Sequence, residues 1–294
     1  MRPHMEKHNL FDLETTEEDL YQQAIKESLD VKIQKAIEFL KFNESIALNL
    51  SESGYYLCNS GGKDSGVIHH LAVSAGVKFT NNHNVTGIDP PELMRHIKKH
   101  YPDIIYHRQS KHIWTRVVEK ANPPTRIGRW CCQEYKEKGG DGLCKIIGVR
   151  AEESARRKGL WRQFISNKRH GIVLCPILYW TDDDIWAYHK EFKLPYCHLY
   201  DEGYARLGCI GCPMSNRGNE FLRYPKYEAG WKRALYRLWD RWVDIPNRYG
   251  QPRFFVKYGS KEAFWEWWIS GEAYKENEMC QMEFMFNKQQ EDEE

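Results

Sequence analysis

An apolar run that stops at two glycines and restarts at once as a helix-like pattern constrains this chain more than anything else in it. In residues 54–69, Tyr55, Tyr56, Leu57 and Cys58 form the run. Ser60-Gly61-Gly62-Lys63-Asp64-Ser65 follows, and Val67, Ile68 and Leu71 then recur at helical spacing. That order predicts strand, tight turn, helix. Adjacent glycines let successive backbone N–H groups turn into an anion-binding concavity, and the first helical turn adds a positive dipole end. Lys63 contributes a cation, Ser60 and Ser65 contribute hydroxyls, and Asp64 can orient Lys63 or hold Mg²⁺ against phosphate oxygens. The segment reads as a grip for a phosphate chain. A plain glycine turn with a solvated lysine is the competing reading, and the spacing is not that of a Walker A loop.

Ser60-Gly61-Gly62-Lys63-Asp64-Ser65 resembles the PP-loop of the adenine-nucleotide α-hydrolase superfamily. Members cleave ATP between the α and β phosphates, and one branch binds sulfonucleotides. The resemblance implies an adenine nucleotide as ligand: ATP, adenylyl sulfate (APS) or phosphoadenylyl sulfate (PAPS).

Strand and helix signals alternate beyond this unit. A helix is expected over 16–42, strands over 55–59, 77–81, 104–107, 145–149 and 172–174, and helices over 66–75, from Pro90 to about His100, and after Thr181. This alternation predicts an α/β fold with a doubly wound, mostly parallel, Rossmann-like sheet, its ligand lying beyond the carboxyl ends of the strands. The expected organisation is a helical N-terminal segment (1–45), a PP-loop nucleotide-binding domain with the cysteine site (46–215), a helical Trp-rich region (216–285) and a disordered acidic tail (286–294).

Nine cysteines, an odd number, and no signal-like leader argue for thiols or metal ligands rather than disulfides. No apolar run approaches a membrane span, so a cytoplasmic protein without membrane association is expected. A net charge of +2 gives no global attraction to nucleic acid.

Cys131 and Cys132 are adjacent, and Cys209-Ile210-Gly211-Cys212 forms a C-x-x-C. Four such thiolates can close a metal site or carry an iron–sulfur cluster. Adjacent cysteines suit the wider iron spacing of a cubane better than a structural zinc site, although buried cysteines with zinc stay open as an alternative. After a PP-loop, this pattern is similar to the 4Fe–4S signature of APS reductases and some PAPS reductases, and to DndC-type proteins of DNA phosphorothioation. The other early cysteines, Cys58, Cys144, Cys175 and Cys197, lie in or beside apolar segments and read as core.

Gly148-Val149-Arg150-Ala151-Glu152-Glu153-Ser154 follows a predicted strand, which brings Arg150 to the PP-loop edge of the sheet, where its planar fork suits phosphate or sulfate oxygens. The block resembles the family's Gly-x-Arg-x-x-Glu-Ser motif, which implies Gly148, Arg150 and Ser154 as nucleotide-binding positions. Lys63, Asp64 and Arg150 are the candidate catalytic groups. Residues 176–186 also resemble a family block and read as a capped helix with core tryptophans.

The reductases carry a nucleophilic cysteine in a C-terminal Glu-Cys-Gly-Leu-His motif, which this chain lacks. Its late cysteine is Cys280. The expected function is therefore ATP α–β cleavage serving sulfur transfer, with a sulfur donor protein and a nucleic-acid acceptor as partners. The alternatives are a sulfonucleotide reductase using Cys280, and a non-enzymatic, nucleotide-responsive partner protein. The cations and aromatics between Lys226 and Trp242 suit strand binding, but helical spacing favours tryptophans in the core with cations outside.

Overall fold

The computed structural model describes residues 17–167 and 171–271. Six strands form one sheet in the order β3-β2-β1-β4-β6-β5. They are β1 (Tyr55–Cys58), β2 (Phe79–Val85), β3 (Ile105–Arg108), β4 (Cys144–Ile146), β5 (Phe164–Asn167) and β6 (Gly171–Leu174). The pairs β2–β3, β1–β4 and β4–β6 are parallel, whereas β5 runs antiparallel to β6 as an edge hairpin that the sequence reading lacked. The fold is the expected α/β type with a mostly parallel sheet. Strand order reverses between β1 and β4, the switch point beyond which such sheets bind ligands.

Several boundaries differ from expectation. The first helical segment is two helices, α1 (Glu17–Ile25) and α2 (Leu29–Leu50), with Ser28 between them as N-cap. The helix after the glycines, α3 (Lys63–Ala75), starts at Lys63 itself. Strand β2 lies later than 77–81 because its centre is polar: Asn81, Asn82 and His83 are buried, and Asn82 Oδ1 meets His107 Nε2 at 2.9 Å. Helix α4 (Pro91–His100) takes Pro90 as N-cap, and the Asp89 carboxylate before it accepts the Thr86 N–H at 2.9 Å. Helices α5 (Ile113–Lys120) and α6 (Trp130–Tyr135) were not foreseen. The chain continues through α7 (Ala155–Leu160), α8 (Asp182–Glu191), α9 (Arg217–Arg223), α10 (Pro225–Trp242) and α11 (Lys261–Ser270).

Two compact units emerge. One takes the chain to Asn59 with Lys63–Asn81 and Gly140–Pro195; the other takes Ser60–Gly62, Asn82–Gly139 and the chain from Tyr196. In the first, Leu57, Ile68, Leu71, Ile146, Leu174 and Ile185 are fully buried, and α2 closes over them through Ala36, Leu40 and Ala47. The Tyr55 hydroxyl donates to the Leu40 carbonyl at 2.7 Å, and the buried Lys32 ammonium pairs with Asp184 at 2.6 Å.

The second unit has an aromatic core. Trp231, Trp239, Trp265 and Trp268 pack with Phe221, Phe255 and Phe264. Two of these indoles are also anchored by hydrogen bonds: Trp231 donates to the Ile210 carbonyl at 3.0 Å and Trp268 to the Pro124 carbonyl at 2.9 Å. Among the described residues no helix is long and apolar enough to cross a membrane. The expected acidic tail and Cys280 lie outside the described residues.

Replacing Trp268 by Ala removes a fully buried ring and orphans a carbonyl partner. It is expected to cost about 3–5 kcal/mol, read as a lower midpoint in denaturant unfolding. A loss below about 1 kcal/mol would mean that the ring does not organise this core.

Candidate functional site

The turn after β1 needs glycine at its first position. Gly61 sits at φ +77°, and a Cβ there would lie 2.5 Å from Ile97 Cγ1 and 2.9 Å from Leu93 Cδ1. Ser60 is exposed, and its hydroxyl accepts the Gly62 N–H at 3.4 Å. Lys63 and Ser65 are buried on the first turn of α3, and Asp64 is partly exposed.

Lys63 meets the acidic start of α8. Its ammonium stands 2.9 Å from Asp182 Oδ1 and 3.9 Å from Asp64 Oδ2, with the Trp186 ring centroid at 5.9 Å. His189 Nε2 bonds the Lys63 carbonyl at 2.9 Å. The loop after β4 brings Arg150 to the same place. Its Nε reaches Asp64 at 2.5 Å, Nη1 reaches Glu152 at 2.8 Å and Nη2 reaches Asp182 at 2.7 Å. Gly148 makes this approach feasible, because a Cβ there would sit 3.1 Å from the Asp64 carbonyl oxygen. Burial opposes the Arg150 charge, but Asp64, Asp182 and Glu152 together raise its pKa. Burial also pushes the Asp182 carboxyl up, yet bonds and charge from Lys63 and Arg150 hold it below the usual carboxylate value.

Two cations therefore face three carboxylates, Asp64, Glu152 and Asp182. The excess of negative charge bears directly on what binds. A polyphosphate brought to this cluster alone meets net repulsion, whereas one carrying a divalent cation restores balance. Ser154 is placed differently from the other motif residues. It is exposed, and its hydroxyl accepts the Arg157 N–H as N-cap of α7.

Sequence reasoning missed Asp182 and Glu152. Thr181 and Asp184 form the capping box of α8, with bonds of 3.1 and 2.7 Å, so Asp182 is surplus to the cap. Three consecutive acids where one cap needs a single carboxylate were the available signal.

In the second unit, Cys131, Cys132, Cys209 and Cys212 line one recess with Lys136 and Trp231. The first two sit on α6; the others flank a tight turn at Gly211, φ +78°, whose N–H donates to Glu220 at 2.8 Å. All four are free thiols, as are the core cysteines, of which Cys144, Cys175 and Cys197 are buried. Cys131 and Cys132 share a hydrogen bond, which holds Cys132 well below an ordinary thiol and pushes Cys131 up. Arg129 assists from 3.4 Å. Burial pushes the Cys209 thiol up, against the pull of Lys136.

Arg217 lies near Cys212. It is 5% exposed and stacked on Trp268 at 4.4 Å, its Nη1 has no hydrogen-bond partner, and burial lowers its pKa to about 10. Arg129, Lys136 and Arg217 were not singled out in the sequence.

Among the described residues, no group of three or more His, Cys, Asp or Glu is arranged to hold one metal ion. A single tetrahedral ion at about 2.3 Å from each sulfur draws its thiolates within about 4 Å of one another. The recess does not have that geometry. As a donor set, four thiols from two segments beside basic side chains fit a larger, anionic iron–sulfur group.

The profile of the phosphoadenosine phosphosulfate reductase domain matches residues 55–215. This chain belongs to that family. Two uncharacterized proteins of Methanocaldococcus jannaschii are 28% and 29% identical to it, over 71% and 85% of this chain and 44% and 58% of their own lengths. Adenosine 5'-phosphosulfate reductase of Staphylococcus haemolyticus is 27% identical over 47% of this chain and 63% of its own. The chain thus spans less than two thirds of the length of these relatives. Solved structures similar to it include phosphoadenylyl-sulfate reductase from Candida auris in a phosphate complex (15% identity, 63% of this chain and 95% of that one, TM-score 0.45). FMN adenylyltransferase from Candida glabrata in complex with ATP is another (15% identity, 66% and 68%, TM-score 0.43).

The depressed Asp182 carboxyl makes a signed prediction. A folded pKa below the unfolded one contributes stability above about pH 4, lost as pH falls through the folded value. Asp182→Asn is expected to be less stable than the parent at pH 7, with the gap closing as the pH falls below about 4. A gap that stays constant or widens in acid would refute the Lys63–Asp182–Arg150 coupling.

Proposed function

We propose that this member of the phosphoadenosine phosphosulfate reductase family binds an adenine nucleotide with Mg²⁺ at the Gly61–Gly62 turn and cleaves ATP between the α and β phosphates in the service of sulfur transfer. The observation that carries this reading is the Lys63–Arg150 cluster with its surplus carboxylate, set beyond the β1–β4 switch point. Residues 46–215 carry the chemistry in this reading.

An acceptor oxygen attacks the α phosphorus, the bond from that phosphorus to the bridging oxygen breaks, and pyrophosphate leaves with the electron pair. Lys63 and Arg150 oppose the charge that develops on the phosphate oxygens. Asp64 and Asp182 would hold Mg²⁺, which would supply positive charge against the phosphate oxygens. Gly148 lets Asp64 approach closely, and Ser60 offers an exposed hydroxyl at the turn. A sulfur nucleophile from a donor protein then displaces AMP from the adenylylated acceptor, for which nucleic acid is the proposed class.

Cys131, Cys132, Cys209 and Cys212 are the proposed ligands of a 4Fe–4S cluster. Such a group supplies electron transfer or sulfur coordination when bound. Arg129 and Lys136 neutralise the thiolate charge at that recess.

The APS reductase relatives support a second reading, reduction of a sulfonucleotide to sulfite: the Cys280 thiolate takes the sulfo group as the nucleotide phosphate leaves, and an added dithiol then displaces sulfite and is oxidised to a disulfide. Anaerobic protein offered ATP, APS and PAPS separates the two. Pyrophosphate release from ATP that survives Cys280→Ser supports the first reading; sulfite release abolished by Cys280→Ser supports the second. Lys63→Met is expected to lower pyrophosphate release by about 10²–10³-fold, and unchanged turnover would remove Lys63 from the reaction. Cys132→Ser and Cys212→Ser are each expected to cut iron and acid-labile sulfide from about four per chain. Zinc without sulfide in the parent would overturn the cluster.

A further inference from the structure

A groove of about 400 Å³ in the second unit lies apart from the recess just described. Its walls are α10 and α5 with the α5 N-cap, His112. Arg233, Arg237 and Arg241 line it from α10, and His112, Trp114 and Glu119 line it from α5. The arginines recur every four residues, which places them in a row along one helix face. All three are exposed, and among the described residues none makes an ion pair or a hydrogen bond; Arg241 only stacks on Trp242, at 5.0 Å.

Exposed arginines usually find a carboxylate nearby. Here the one acid in the groove is already engaged elsewhere: Glu119 takes Lys111 at 2.6 Å and Arg116 at 2.7 Å. Asp240, on the same helix, pairs outside the groove with Lys261 at 3.0 Å. Among the described residues the row keeps its positive charge unpaired, although the whole chain carries only +2.

The buried face of the same helix explains why the cations stay outside. Trp231, Leu235, Leu238 and Trp239 fill the aromatic core, so Arg233, Arg237 and Arg241 face the groove by helical period. Gly230 completes the site. A Cβ there would fall 2.2 Å from the Trp114 ring, so its absence lets the indole lie directly on the helix backbone. His112 adds a second ring 4.6 Å from that of Trp114.

We propose that this groove binds single-stranded nucleic acid, the phosphodiester backbone along the arginine row and a base against the Trp114–His112 pair. Two steps of four residues span ~12 Å, a length that covers a few successive phosphates of one strand. Cations in a groove beside aromatic faces are the combination that suits single strands, whereas a membrane surface gains nothing from a concave row. The site bears on the acceptor of the reaction proposed above but does not rest on it, since strand binding requires neither nucleotide nor cluster.

The test is fluorescence anisotropy with a labelled single strand of about 15 nucleotides, titrated between about 50 and 200 mM salt. The full chain is compared with Arg233→Gln/Arg237→Gln/Arg241→Gln and with Arg95→Gln, an exposed arginine on α4. The triple variant is expected to bind at least about tenfold more weakly, with a log–log salt slope shallower by about 2, while its melting curve matches the parent and Arg95→Gln binds normally. An abasic strand of equal length is expected to bind more weakly than the normal one. Unchanged affinity of the triple variant overturns the proposal, as does equal binding of the abasic strand. Tighter binding of a duplex, or of phosphatidylserine vesicles, through the same three arginines overturns it too.

Discussion

The three-carboxylate hold on Arg150 is the interaction from which the charged cluster of the first unit is organised. A guanidinium 3% exposed is tolerable only when its donors are met, and Asp64, Glu152 and Asp182 meet them from three different segments. The first turn of α3, the loop after β4 and the start of α8 are thereby tied at one point. Gly148 is small because Asp64 must reach that point, and His189 bonds the Lys63 carbonyl from the far end of α8. Without a ligand the cluster is self-satisfied.

The cysteine recess is organised on a different principle. Its thiols come from α6 and from the turn at Gly211, separated by 76 residues between Cys132 and Cys209. What brings the two segments together is an aromatic core, not a polar lattice. The Trp231 indole bonds the Ile210 carbonyl inside the C-x-x-C turn, and Glu220 accepts the Gly211 N–H from α9. The tryptophan wealth of the C-terminal region thus has a local purpose, since large rings fill space between short helices that have few residues with which to make a core.

How far the sequence could be read depended on which physical signal each part carried. The β1–turn–α3 unit was legible because an apolar run, a diglycine and a helical period coincide within 16 residues. Strand β2 was misplaced because Asn81, Asn82 and His83 are buried polar groups, whose burial no hydrophobicity pattern reports. Lys63, Asp64 and Arg150 could be nominated from their neighbours along the chain. Asp182 could not, because its local context explains it fully as part of a helix start, and its link to Lys63 spans more than a hundred residues. Within Lys226–Trp242 the helical period put tryptophans in the core and cations outside; Trp231 and Trp239 are buried there.

Trp231 has one further consequence. Its ring lies against both the C-x-x-C turn and the wall of the recess that Cys131 and Cys132 share. An indole so placed is an optical gauge of that recess: an absorbing iron group there would drain its excited state, and loss of iron would restore emission.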